Sequence, residues 1–215
     1  MRKLICISII LFIGISCFGQ EAECSTSLNT SSEQRFQNAQ GIGLQYQQDI
    51  STKFKLGFGV HYNFNNVNFS QLAYIDAIPF PPSVEKVHSK SKRVSFRLNI
   101  QGLLKNNEYV SISLGPEISY NYLWGNDDIN MFFGGGTEWT NYPQKNGTTK
   151  MLGIGLISKI EIKNFITPQL SLCFTIRPEL IADGVSAKEG SSNPVFSPAI
   201  GFVEFQIGLK YRFKK

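Results

Sequence analysis

Long apolar runs, histidine and charge are all scarce in this chain. After residue 18, no stretch approaches the roughly 18 to 20 consecutive apolar residues that a membrane-spanning helix needs. His61 and His88 are the only histidines, and charged residues make up 17% of the sequence. The formal net charge of +5 falls to +3 without Arg2 and Lys3, which is too mild to predict a nucleic-acid partner. These shortages argue against a helical membrane protein and against nucleic-acid binding.

The first 19 residues have the form of a secretory signal peptide. Arg2 and Lys3 precede an apolar stretch from Leu4 to Phe18, which is shorter than a membrane-spanning helix normally is. Small residues near its end allow cleavage before Gln20, leaving residues 20–215 as one mature domain. The alternative is a lipoprotein whose first residue is Cys17, although the preceding residues lack the leucine usual in such sites.

Two of the four cysteines leave with the signal peptide. Cys24 and Cys173 remain, and export would permit a disulfide between them. Two lone cysteines do not define a pairing, so we expect two free thiols.

Strict alternation of apolar and polar residues is the dominant pattern in the mature chain. From Phe202 to Phe213, for example, Phe205, Ile207 and Leu209 share one face, while glutamate, glutamine and lysine share the other. Period 2 predicts strands and excludes helices. Seven segments show this pattern: Gly41–Asp49, Phe54–Asn65, Val94–Gln101, Val110–Tyr122, Leu152–Ile162, Leu170–Glu179 and Phe202–Phe213.

The predicted strands are long, and the connections between them alternate in length. Segments of about 9 to 14 residues suit a tilted crossing of a membrane. Short turns follow Asp49, Leu104 and Lys163, whereas long loops are predicted over 66–92, 125–149 and 182–199. This arrangement is typical of outer-membrane barrels, whose strands are even in number. We therefore predict an all-β, eight-stranded antiparallel up-and-down transmembrane barrel, with the first strand inferred between Glu23 and Thr30.

A soluble lipocalin-like barrel would show the same alternation with its apolar face turned inward. The strand lengths and the aromatic terminal strand favour lipid on the outside. The polar face is rich in Gly, Ser, Asn and Gln, as a packed polar lumen requires. A soluble exterior would carry more lysine and glutamate than this chain has.

The chain resembles the small outer-membrane β-barrel proteins of Bacteroidetes, in the PorT-like and OmpA-like group. Three stretches carry the resemblance: the signal ending Cys17-Phe18-Gly19-Gln20, the strand–turn–strand unit from Gly41 to Phe64, and the ending Ile207–Phe213. The resemblance implies an outer-membrane location, and for PorT-like proteins an accessory role in secretion. It also implies a C-terminal assembly signal, here Tyr211 and Phe213, followed by two lysines.

Ten charged residues fall on the polar face of the predicted strands. An eight-stranded barrel is only wide enough for its own side chains to fill, so we predict a structural ion-pair network that plugs the lumen. The alternative is a narrow ion or solute path. The ten are Lys55, Arg97, Glu117, Lys159, Glu161, Arg177, Glu179, Glu204, Lys210 and Arg212.

Candidates for chemistry are weaker. A lipid A-modifying enzyme would need a histidine to activate a serine or water, and His61 is predicted to face the lumen while His88 lies in a long loop. Asp127 and Asp128 are predicted to form a solvated acidic turn without regular ligand spacing. We therefore expect no catalytic residues, no metal and no cofactor.

The expected function is structural, or an interaction made by the long loops. Residues 74–82 and 131–139 are rich in aromatic and apolar side chains, which often mark partner contacts. The alternative is that the strands continue as hairpins above the membrane. Expected partners are outer-membrane lipid and lipopolysaccharide, the barrel-assembly machinery and other envelope proteins, but no nucleic acid.

Overall fold

A computed structural model describes residues 20–32, 37–73, 83–132, 140–183 and 200–213. These residues form one closed barrel in which each strand pairs antiparallel with the next and β8 pairs with β1. The predicted fold class is confirmed. The strands are β1 (Gln20–Ser31), β2 (Ala39–Asp49), β3 (Phe54–Ala73), β4 (Ser83–Asn106), β5 (Val110–Phe132), β6 (Thr140–Ile162), β7 (Leu170–Asp183) and β8 (Ile200–Arg212).

The first strand, inferred only from the even strand count, is present and closes the barrel. At its centre Cys24 pairs with Leu44 of β2 and with Leu209 of β8. Its alternation is weak in the sequence because its outward residues include Ala22 and Thr26, which are small. Cys24 is exposed and Cys173 is buried, and both are free thiols.

Apolar residues face outward and polar residues face inward along every strand. Leu44, Ile118 and Ile154 each expose more than half of their side-chain surface, while most fully buried large side chains are arginine, lysine, glutamine or glutamate. This distribution is the reverse of a soluble protein. It excludes the lipocalin-like alternative, whose apolar residues would line the interior.

Four neighbouring strands are much longer than the others. Strands β3 to β6 have 20 to 24 residues, against 11 to 14 for β1, β2, β7 and β8. In the described part of the chain, the ladder between β2 and β3 ends at Gln40 and Phe64. Beyond this point β3 pairs only with β4, up to Ala73 and Ser83. We call the extension, residues 65–73, 83–91, 125–132 and 140–146, the outer sheet.

The outer sheet corrects the prediction of loops over 66–92 and 125–149. Nine residue pairs between β3 and β4 lie beyond Phe64, which corresponds to roughly 30 Å of strand. Apolar residues do not alternate regularly in these segments, so the pattern that marks the other strands is lost. Residues 74–82, 133–139 and 184–199, which hold most of the aromatic loop residues, lie outside the described residues.

Three short connections share the opposite end of the barrel, as the sequence predicts. In the first, the Ser51 hydroxyl accepts hydrogen bonds from the backbone N–H groups of Lys53 and Phe54, both at 3.2 Å. In the second, Asn107 Oδ1 accepts from the N–H of Val110 at 2.7 Å. In the third, Asn164 adopts a positive φ of 56°. Side-chain acceptors of this kind favour tight turns.

No helix among the described residues is long and apolar enough to cross a membrane. The same residues contain no group of three His, Cys, Asp or Glu side chains that could hold a metal ion.

Candidate functional site: the charged lumen and its apolar cap

The lumen holds a set of buried charges contributed by seven of the eight strands. Because side chains alternate along each strand, every second residue of the charged segments points inward. Nine of the ten predicted lumen charges are buried there. The tenth, Arg212, has a side chain 45% exposed at the turn-bearing end of the barrel. The nine are Lys55, Arg97, Glu117, Lys159, Glu161, Arg177, Glu179, Glu204 and Lys210.

Three further buried charges were not predicted from the sequence. Glu21 and Glu23 lie on β1, which could not be delimited from its pattern, and Arg93 lies one residue before the predicted start of β4. The sequence does carry a signal for the inward face of β1, because polar residues occupy alternate positions at Glu21, Glu23, Ser25 and Ser27. Together with the ten predicted charges, these three residues make a set of six acidic and seven basic side chains, which we call the lumen network.

The lower half of the lumen network, nearer the end of the barrel with the three short turns, is centred on Glu21. Its carboxylate accepts hydrogen bonds from Lys55 at 2.7 Å and Lys210 at 2.8 Å, and from Arg212 at 2.8 Å on its other oxygen. Lys210 also donates to Glu161. One carboxylate is therefore surrounded by three cations. Glu161 offsets part of the excess positive charge, and Asp49 lies 3.6 Å from Lys55.

Beside this group lies a more isolated pair. Lys159 Nζ donates to Glu23 Oε2 at 2.5 Å, and both side chains are almost fully buried. These residues are 136 positions apart in the sequence, so only barrel closure brings them together.

The upper half of the lumen network is built from arginine and glutamate. Arg97 pairs with Glu204, while Arg93 lies 3.4 Å from Glu204 and 3.3 Å from Glu179. Arg177 pairs with Glu117 and also donates to Gln45 Oε1 at 2.6 Å. Buried charges need such partners because an unpaired ion in a low-dielectric interior is strongly destabilising.

His61 faces the lumen, as predicted, and is enclosed by this upper group. Its Nδ1 lies 3.0 Å from Gln206 Nε2 and 3.6 Å from a carboxylate oxygen of Glu204. The side chain is only 1% exposed. His61 is therefore a packed member of the lumen rather than a group presented to the membrane surface.

Two other candidates lie in strands rather than in loops, which corrects their predicted positions. His88 is part of β4, and its Nδ1 lies 2.5 Å from Asn68 Oδ1. Asp127 is part of β5, is fully buried, and accepts a hydrogen bond from Ser89 at 2.6 Å. Asp127 therefore does not belong to a solvated acidic turn. Ser89 and His88 point to opposite faces of β4 because they are adjacent in the strand.

An apolar cluster lies in the lumen above the charges, on β5 to β8. Leu123, Met151, Ile181 and Phe202 are at most 5% exposed and pack together. The guanidinium carbon of Arg93 lies 4.3 Å from the centre of the Phe202 ring, a cation–π distance. We call these four residues the apolar cap. It lies between the lumen network and the end of the barrel that carries the outer sheet, on the side formed by β5 to β8.

No protein-family profile and no curated protein sequence matches this chain. Solved structures do. The outer membrane protease OmpT from Escherichia coli aligns with a TM-score of 0.54 and 11% identity, over 91% of this chain and 97% of that one. Neisserial surface protein A gives a TM-score of 0.45 and 12% identity, over 91% and 97%. Ail of Yersinia pestis gives 0.43 and 13%, over 91% and 99%.

At 11% identity the match to OmpT shows a shared fold and nothing about activity. The fold is the closed antiparallel barrel of outer-membrane proteins. An exterior of exposed leucine, isoleucine and phenylalanine around a charged interior is the arrangement that a lipid environment requires. The chain is thus an integral outer-membrane β-barrel protein.

Proposed function

We propose that this protein is a non-conducting barrel that anchors the outer sheet at the cell surface, where the sheet makes interactions. The single observation behind this proposal is that the buried, paired side chains of the lumen network occupy the lumen, with the apolar cap packed above them. A barrel of eight strands has room for little more than its own side chains. A membrane domain without a path through it is suited to holding something in place.

The orientation supports the same proposal. Outer-membrane barrels have short turns on the periplasmic side and longer connections outside. The three short turns lie at one end of this barrel and the outer sheet at the other. Four paired strands that continue roughly 30 Å beyond the barrel rim form a stiffer platform than loops of the same length would.

Planar-bilayer recording tests the absence of a pore. The purified, refolded protein should add no stepwise current over a wide voltage range. Insertion should be verified on the same sample by the faster gel migration of the unheated, folded barrel. Steady unitary currents that scale with salt concentration would overturn the plugged-lumen proposal.

A trimmed variant tests the interaction role. Residues 66–90 and 127–144 would each be replaced by a short turn, which removes the outer sheet and leaves the barrel ladder intact. Cross-linking in the host envelope should give partners with the full chain that the trimmed variant lacks. Identical cross-linked species from both proteins would contradict a role for the outer sheet. Repeated capture of components of one secretion machine would instead favour the PorT-like accessory role.

The proposal includes no catalytic step. His61 is enclosed in the lumen, where its register partner Ser95 donates its hydroxyl to Asn121 Oδ1 at 2.6 Å. His88 is paired with Asn68. Neither histidine is therefore arranged to activate a serine. Replacing either histidine by alanine should leave the lipid A profile of the host unchanged. A changed profile, with the variant barrel still folded, would support the lipid-modifying alternative.

Partners of the membrane domain follow from its surface. We propose contact with outer-membrane lipid and lipopolysaccharide along the apolar exterior. We also propose recognition of Tyr211 and Phe213 by the barrel-assembly machinery. These two rings lie 5.3 Å apart in an edge-to-face contact at the end of β8.

A further inference from the structure

A row of basic side chains begins where the apolar exterior of β4 ends. Phe96 and Leu98 are exposed apolar residues of the membrane belt. The next outward positions beyond Val94 are occupied by Lys92, Lys90, His88 and Lys86, and the three lysines are exposed. On β6, Lys150 is exposed in the same way, directly beyond the outward-facing Leu152. We call Lys90, Lys92 and Lys150 the lysine patch.

The lysine patch lies at the level of the membrane interface. In the strand register Lys92 is flanked by Phe64 of β3 and Trp124 of β5, and Lys150 is paired with Tyr122. The ammonium group of Lys150 lies 6.0 Å from the centre of the Tyr122 ring. Aromatic residues of this kind mark the boundary between hydrocarbon and headgroups in outer-membrane barrels. Lys92 and Lys150 therefore reach the depth at which lipid phosphates lie, and Lys90 occupies the next outward position above Lys92.

The face around the patch carries little opposing charge. Its other exposed side chains in the described residues include Asn66, Asn68 and Asn126, which are neutral hydrogen-bonding groups. Asp128 occupies the register position opposite His88. One acid against the three lysines of the patch leaves the face positively charged, and a basic cluster at an interface attracts anionic headgroups.

An apolar groove lies on the lipid-facing surface below Lys150. It has a volume of about 650 Å³ and crosses β6, β7 and β8. Ile154, Leu156, Leu180 and Val203 line it, while Gly201 leaves the surface concave because it has no side chain. A groove of this kind, beneath a cation at the interface, matches an acyl chain attached to a phosphorylated headgroup.

We propose that the lysine patch and this groove bind a phosphorylated glycolipid of the outer leaflet. The lysines hold its phosphate groups, and the groove holds one of its acyl chains. This inference rests on the proposed outer-membrane orientation, because the patch must face the outer leaflet. It goes further in naming the site and the charge that the lipid must carry.

Binding of defined lipids tests the proposal. The full mature barrel would be titrated in detergent with bisphosphorylated lipid A, and separately with the same lipid A after enzymatic removal of its phosphates. The variant K90Q/K92Q should bind intact lipid A about 25-fold more weakly, at about fivefold for each lysine removed near an anionic surface. K150Q should lose about fivefold. The matched control is K53Q/K105Q, which removes two exposed lysines at the periplasmic end and should bind like the unaltered protein.

The outcomes separate this inference from the proposed function. Equal binding by K90Q/K92Q and K53Q/K105Q would overturn the lysine patch as the site. Equal binding of intact and dephosphorylated lipid A by the unaltered barrel would overturn phosphate recognition. Each protein is first checked for the gel mobility of a folded barrel. The proposed function is judged separately, by the planar-bilayer recording and by the cross-linking of the trimmed variant.

Discussion

The pair formed by Lys159 and Glu23 offers the sharpest test of the lumen network. Their charged atoms are 2.5 Å apart and both side chains are at most 3% exposed. At an effective dielectric constant of about 20, the attraction between unit charges at this distance is about 6 to 7 kcal/mol. Withdrawing each ion from water costs several kcal/mol. The intact pair therefore contributes little net free energy to the stability of the fold, whereas removing one partner alone is strongly destabilising.

A double-mutant cycle measures this difference. Lys159→Met leaves the Glu23 carboxylate buried without its partner and should lower the free energy of unfolding by about 3 to 5 kcal/mol. Glu23→Gln should have a similar effect through Lys159. The combined variant removes both charges and should recover most of the loss. Lys105→Met, at an exposed position near a turn, is the control for losing a lysine from the chain.

Urea unfolding from lipid vesicles, followed by tryptophan fluorescence and gel mobility, gives the required free energies. The reasoning requires the combined variant to be more stable than the sum of the single losses predicts. Strictly additive losses would refute it, because they would mean that the two charges do not interact in the folded barrel.

The remaining predictions concern the barrel wall. A Cβ at Gly115 would lie 1.7 Å from the backbone oxygen of Ile100, so Gly115→Ala should destabilise the barrel by at least about 1 to 3 kcal/mol. Gly102→Ala, whose nearest contact would be 3.6 Å, should be tolerated, and equal effects in urea unfolding would contradict the packing argument. Ile118→Arg, on the membrane belt, should cost about 2 to 4 kcal/mol. Ile166→Arg, in the turn between β6 and β7, should cost little, and similar costs would argue against lipid contact at Ile118.

The membrane strands could be predicted from the sequence because each has one face in lipid and one in the lumen. That difference in surroundings imposes period 2, which holds through β8 and through the barrel part of β3. The outer sheet could not be predicted in this way. Residues 65–73 and 83–91 lie beyond the lipid belt, so neither face requires apolar side chains and the period disappears.

The first strand was also difficult to predict from the sequence, in this case because its outward face is only weakly apolar. Its inward residues Glu21 and Glu23 are as polar as any in the lumen, but its outward residues include Ala22, Cys24 and Thr26. Weakly apolar side chains on the lipid face hide the alternation. The even strand number of such barrels and the length of chain before β2 were enough to predict that the strand exists, though not where it begins.

By itself the sequence determined which residues face lipid and which face the lumen, since alternation along a strand depends only on local geometry. It therefore determined that charges of both signs fill the interior. Only the tertiary structure decided which charges meet. Lys210 contacts Glu21 across 189 residues of chain, and Arg97 contacts Glu204 across 107. Partners so distant are chosen by strand register and by closure of the barrel, which no local pattern records.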